Sequence, residues 1–346
     1  GCGFEVGCGM EAAMVAMNSC CGGMGCDQCC ESTCGIEAAC IGGPVCGMEP
    51  DCACDACCDS GACSVPICLP MLRLNWCRWD FFAGVQGYTG PMNHLGSRLL
   101  DSRLSDGSGS FGFYQGFNEG RSLRRWIGCD IASQFGLRAT QSNLSGAHFT
   151  NENRYQVFLT GGLFRKVDYG LQYGLVFDYL NQDWFFQGDS IQLRGELSWR
   201  HDACHVCGFR FMSGLRNESS NTIFRDGNGN LQASVTLFEP TDQYRLFYRR
   251  LLARGGECTA FAGWTDRDDG LLGTNLSVPL RPHLLLAAGA TYLIPNEGTS
   301  RGGFEEEGWN VSLGFVFRPG GPQGCGRYCR PMFDVADNGS FMLDRR

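Results

Sequence analysis

The sequence predicts an all-β chain: an antiparallel up-and-down transmembrane β-barrel of about twelve strands, preceded by a disulfide-rich N-terminal arm. Three observations carry this. Two-faced extended segments recur from Trp79 onward, the connections between them alternate long and short, and the tryptophans gather at segment ends.

Ser190–Arg200 (SIQLRGELSWR) shows the pattern most clearly. Ile191, Leu193, Gly195, Leu197 and Trp199 fall on one face of an extended strand. Gln192, Arg194, Glu196, Ser198 and Arg200 fall on the other. Side chains alternate across a strand with period two, whereas a helix would mix the two sets. Leu171–Tyr179, Leu272–Leu280 and Val311–Phe317 repeat it. Twelve such segments are expected, at 79–89, 110–118, 123–138, 154–166, 170–180, 189–200, 207–216, 243–251, 256–265, 271–280, 284–294 and 308–318. Their lengths match the roughly 9–11 residues that a tilted strand needs to cross a bilayer. No run of apolar residues is long enough for a membrane helix.

The connections at Gly90–Gly109, Ala139–Asn153, Asn217–Asp242 and Pro295–Glu307 are long, and those at Asn181–Gly188 and Asp266–Gly270 are intermediate. Between them lie short turns at Glu119–Ser122, Val167–Tyr169, His201–Val206, Leu252–Gly255 and Arg281–His283. Membrane barrels place long loops outside and short turns in the periplasm. An even strand number then puts both termini on the turn side. Trp79, Trp126 and Trp199 fall near the turn-side ends, and Trp184, Trp264 and Trp309 near the loop-side ends, as aromatic girdles do. Trp79, Trp199, Trp264 and Trp309 are the expected interface anchors.

The chain divides into a cysteine-rich acidic arm (1–70), the barrel (71–318) and a periplasmic C-terminal tail (319–346). The arm holds nine carboxylates and no Lys or Arg, so it carries −9 of a chain whose formal charge is −8, and the rest is close to neutral. It also holds 16 of the 23 cysteines. The start at Gly1-Cys2, with no visible export signal, fits a mature exported product, and export favours disulfides over metal. Cys77, Cys204, Cys207, Cys258, Cys325 and Cys329 all fall on the turn side and are the disulfide candidates outside the arm. Cys129 is placed within a strand. The His201–Cys207 stretch offers two thiols and two imidazoles, so zinc is the competing reading there; no metal or cofactor is expected.

Residues 79–318 resemble a twelve-stranded Gram-negative outer-membrane barrel. Trp309–Phe317 resembles the assembly signal of such barrels, with Gly314 and terminal aromatics, but 29 residues follow it here. The cysteine-rich arm, with the FFAGVQGYTGP and SFGFYQGFNEG segments, resembles barrel proteins of planctomycete-type envelopes. The resemblance implies the outer membrane, with membrane lipid as partner, and it carries no catalytic motif.

Arginine in hydrocarbon costs roughly 2–4 kcal/mol at the midplane, so the strand arginines must point inward. The expected lumen set is Arg138, Arg154, Arg194, Glu196, Arg200, Arg210, Arg245 and Arg249, with Arg124, Lys166, Asp80, Asp130 and Asp178 also inward. Three readings fit: an anion-preferring pore, a ladder of ion pairs in a closed barrel, or an acidic arm inserted as a plug. Glycine and small polar residues on the inward faces suit a packed or partly occupied lumen.

Nothing points to an enzyme. His94, His148, His201, His205 and His283 all sit in loops or turns, and none has a serine two residues along. Asp226–Asn230 opens like a calcium loop, but Leu237 stands where the bidentate acid belongs. No basic run supports nucleic-acid binding. The expected role is structural: an envelope component locked by disulfides through its arm, partnered with copies of itself or other envelope proteins. The alternative is a passive, porin-like, arginine-lined channel.

Overall fold

The computed structural model describes residues 38–39, 69–70, 75–90, 93, 109–144, 152–184, 187–216, 218–225, 231–296, 308–321 and 326–345. Residues 14–75 form a compact unit of their own, in which β1 (Ala38–Ala39) pairs antiparallel with β2 (Leu69–Pro70). The cross-links and partner contacts expected of the arm, like Cys325, lie outside the described residues.

The second unit is the barrel. Its strands are β3 (Trp79–Thr89), β4 (Ser110–Ser122), β5 (Ala132–Ser142), β6 (Arg154–Arg165), β7 (Gly170–Asp183), β8 (Gln187–Arg200) and β9 (His205–Arg216). After a hairpin of β10 (Glu218–Arg225) and β11 (Leu231–Pro240) come β12 (Gln243–Leu251), β13 (Glu257–Thr265), β14 (Gly270–Arg281), β15 (Leu284–Ile294) and β16 (Gly308–Phe317). Strands β3–β9 and β12–β16 form a closed antiparallel barrel, and β16 pairs with β3 at the seam. The predicted fold class and strand number are therefore correct.

Three local expectations are not. Residues 123–131 do not extend β5. Arg124–Ile127 form a helical turn, α1, ended by Gly128 at φ 70°, a conformation glycine adopts without strain. Arg124 is consequently exposed rather than inward, and Cys129 lies in the following bend. Trp184 is buried, not at a lipid-facing girdle. The long Asn217–Asp242 connection contains the β10–β11 hairpin; residues 226–230 lie outside the described set.

The two faces separate as the alternation requires. On β8, Gln192, Arg194, Glu196 and Ser198 are buried, while Leu197 is 54% exposed. Phe135, Leu175, Phe177, Leu246, Leu272, Leu313 and Phe315 continue the exposed apolar belt around the outside. A contiguous apolar belt on a closed barrel is the surface that lipid covers.

The core sits inside the barrel. The segment after β16, expected as a periplasmic tail, instead runs along the lumen from the mouth with short turns to the mouth with long loops. Tyr328, Met332 and Phe333 pack with Ala132, Phe164 and Val176. Farther along, Val335, Ala336, Phe341 and Leu343 pack with Phe158, Leu180, Trp184 and Phe238. Burying each large apolar side chain contributes about 1.5–3 kcal/mol. The tail ends as β17 (Leu343–Arg345), which adds a third strand to the hairpin: Pro240 pairs with Leu343 and Phe238 with Arg345. Glycines in the wall make the room. A Cβ at Gly136 would come within 2.4 Å of Val335 Cγ2.

Candidate functional site: a lumen filled by the chain's own tail

Inward polar side chains hold the tail along its length. Gln134 donates from Nε2 to Phe333 O at 3.2 Å, and its Oε1 accepts from the amides of Met332 and Phe333. Asn118 Nδ2 donates to the same Phe333 carbonyl at 2.9 Å. Halfway along, the Ala336 amide donates to Thr160 Oγ1 at 3.0 Å, and Arg194 donates to Asp334 O at 2.9 Å. Gln156 and Asn338 exchange two amide hydrogen bonds of 2.9 and 3.0 Å. Gln192 and Gln243 both donate to Ser340 O. An extended segment without its own sheet partners has its backbone groups met by barrel side chains.

Beneath these contacts lies a layer of charge. Arg194 is 2.9 Å from Asp178, and both are buried. Glu196 takes Arg210 at 2.6 Å and Arg249 at 3.4 Å. Arg138 lies 3.6 Å from Asp337 of the tail, donates to Gln86 Oε1 at 2.8 Å and stacks on the Tyr114 ring. Arg245 donates to Gln243 Oε1 and Gly339 O, both at 2.5 Å.

At the turn mouth, Lys166 Nζ donates to Arg330 O and Pro331 O at 3.2 and 2.7 Å. Burial is the main reason its pKa falls to about 8. Tyr328 donates its hydroxyl to Asp130 O and Lys166 O, and burial pushes its pKa up to about 12. Arg327 bridges Asp168 at 2.5 Å and Asp130 at 3.7 Å, and Arg330 reaches Asp80 at 3.7 Å. Arg318, just after β16, also holds Asp80, at 3.1 Å.

Of the expected lumen set, Arg138, Arg194, Glu196, Arg210, Arg245 and Arg249 come together around the tail. Arg154 is inward but separate, near the loop mouth. It donates to Gln182 and Asn93 between the Tyr88 and Trp184 rings. Arg200 is a rim residue that donates to the carbonyls of Val167, Asp202 and Ala203.

Trp79, Trp199, Trp264 and Trp309 sit at strand ends as expected. Trp199 packs edge-on against Tyr169, and Trp264 lies beside Tyr244. Among the disulfide candidates, Cys204 is disulfide-bonded. Cys207 and Cys258 carry free thiols, contrary to expectation; they sit on different strand pairs, facing Tyr248 and Arg250. Cys77 lies in the turn before β3, and Cys329 is buried in the tail. Cys207 Sγ lies 3.4 Å from His201 Nε2.

The sequence reading did not find the tail's part in the site: Phe333, Asp334, Asp337 and Asn338. A signal was available. Met332, Phe333, Val335, Phe341, Met342 and Leu343 are large apolar residues beyond the last strand, and they need cover.

Residues 78–343, barrel and tail together, match the model of a family described as a family of unknown function, DUF6666. No curated protein matches the chain. Among solved structures it is similar to the β domain of the Bordetella autotransporter BrkA, at 13% identity and TM-score 0.39, covering 70% of this chain and 99% of that one. It is also similar to the translocator domain of the autotransporter NalP from Neisseria meningitidis, at 13% identity and TM-score 0.37, covering 69% and 88%. Outer membrane phospholipase A from Escherichia coli matches at 11% identity and TM-score 0.36, covering 69% and 89%. These likenesses are of barrel to barrel and transfer no residue's role.

Proposed function

We propose, from the premise that the chain belongs to the DUF6666 family of unknown function, that it is an outer-membrane barrel closed by its own tail, with a structural role in the envelope. Membrane lipid covers the apolar belt, the short turns face the periplasm, and the long loops face outward. The observation that carries this reading is the tail in the lumen. It runs from Tyr328 at one mouth to Leu343 at the other, bonded to Gln134, Thr160, Gln156, Arg194, Gln192 and Arg245 on the way. Arginines paired to carboxylates and tail carbonyls brace a wall; they do not line a water column. The reading is non-catalytic.

Planar-bilayer recording tests it. The full chain is expected to give little or no conductance, and a variant lacking residues 326–345 to give discrete open steps. Porin-like steps from the full chain would overturn the closed reading in favour of an arginine-lined diffusion channel. That second reading has one observation behind it: a cavity persists between the tail and the wall of β14–β16.

A further inference from the structure

The space the tail leaves unfilled is a cavity of about 160 Å³. One side is lined by Arg138, Arg194, Arg210 and Arg245. The other is lined by small groups of β14–β16, among them Ser277, Gly289 and Ser312. Asp334 and Asp337 of the tail also reach it.

The charges around it do not balance. Asp178 answers Arg194, Glu196 answers Arg210 and Arg249, and Asp337 answers Arg138. Asp334 adds one more carboxylate. At the turn mouth, Asp80 and Glu257 lie with Arg318 and Arg330. Lys166, on the Arg330 and Pro331 carbonyls, is a further cation at that mouth. Among the guanidinium groups named, one has no carboxylate within ion-pair distance among the described residues. It is Arg245, 4% exposed, whose hydrogen-bond acceptors are the neutral Gln243 side chain and the Gly339 carbonyl.

Hydrogen bonding points the same way. Three residues that line the cavity, Arg138, Arg194 and Arg245, each have a buried Nε with no acceptor among the described residues. An unmet buried donor costs about 1–3 kcal/mol, and more when charged. An uncompensated buried charge costs still more.

We infer that this cavity is a binding site for one small monovalent anion, a halide or a carboxylate no larger than acetate, held chiefly by Arg245. Its charge answers the one guanidinium of the cavity that has no carboxylate partner among the described residues. The bound ion serves as a structural counter-ion of the packed lumen, whether or not the barrel ever conducts.

The test uses the full chain in detergent, with bromide as the probe. Crystals grown in sodium bromide should show an anomalous peak in the cavity within hydrogen-bond reach of Arg245. The melting temperature should be several degrees higher in sodium bromide than in sodium gluconate at equal ionic strength. That difference should vanish in Arg245→Gln and persist in Arg165→Gln, a rim control. Water alone in the cavity, or an equal bromide effect in wild type and Arg245→Gln, would overturn the proposal. Should Arg245→Gln fail to fold, the wild-type anomalous map decides by itself.

Discussion

The Phe333 ring lies over the α-carbon of Gly174, where a β-carbon would come within 2.7 Å of Cε2 and within 3.1 Å of Met332 Sδ. A glycine in the wall is thus the seat of a residue more than 150 positions later. Gly174→Val should therefore unseat the tail while leaving the β7–β8 ladder intact. Overpacking of this kind costs about 1–3 kcal/mol. Limited proteolysis should cleave the variant between 326 and 345 much faster than the wild type, while the barrel keeps its folded mobility in unboiled gels. Equal cleavage rates would mean that the tail does not depend on this seat.

Arg194 and Asp178 form the most enclosed ion pair among the described residues, with side chains 2% and 0% exposed. Removing one partner of such a pair strands the other and costs about 3–5 kcal/mol. Arg194→Met should show that loss in urea unfolding of the full chain. Arg194→Met with Asp178→Asn should lose less, because no buried charge is stranded and the amide oxygen still accepts from one of the two donors, Thr160 or Gln192. A double variant that loses as much as the two single variants together would show that the pair is not coupled.

Lys166 is the sole lysine of the chain, so its titration can be read without overlap. Its folded pKa of about 8 lies below the 10.5 of an ordinary lysine. Between those values the unfolded chain binds more protons than the folded one. Stability therefore rises with pH from about 8 to 10.5 and is flat below 8, where both states are charged. Labelling with an amine-reactive ester, followed by mass spectrometry, should reach half its maximal rate near pH 8. In a variant lacking residues 326–345 the midpoint should move up toward that of an ordinary lysine.

Leu313 sits mid-strand on β16, 49% exposed, between Val85 and Ala288. Leu313→Arg should cost about 2–4 kcal/mol when the protein folds into bilayers. Leu313→Ala should cost far less. If the two variants fold into vesicles with similar yield, this face does not meet hydrocarbon.

The barrel was legible because its two signals are local. Alternation in Ser190–Arg200 fixes which side chains face in, and the cost of lipid-facing arginine fixes the register. The α1 turn escaped because Leu123, Trp126 and Ile127 read as strand residues, while Gly128 and the bend after it end the extension. The tail escaped for a different reason. Its partners, Gln134, Thr160 and Arg194, lie 140–199 residues upstream, and no periodicity spans that separation. The inward glycines did announce an occupied lumen. Charge complementarity suggested the acidic arm as its occupant, and the structure fills it with the other end of the chain.

The ladder between β11 and β17 has only three residue pairs, Phe238–Arg345, Glu239–Asp344 and Pro240–Leu343. Its position matters more than its size. At the turn mouth the tail is joined covalently to β16, so that end can slacken but never leave. Departure can begin only at the opposite mouth, where those pairs act as a latch. Any signal that empties this barrel must therefore be delivered from the side of the long loops, and salt would act at both ends, screening Arg327 and Arg330 at the hinge and the Arg267–Asp344 pair at the bolt.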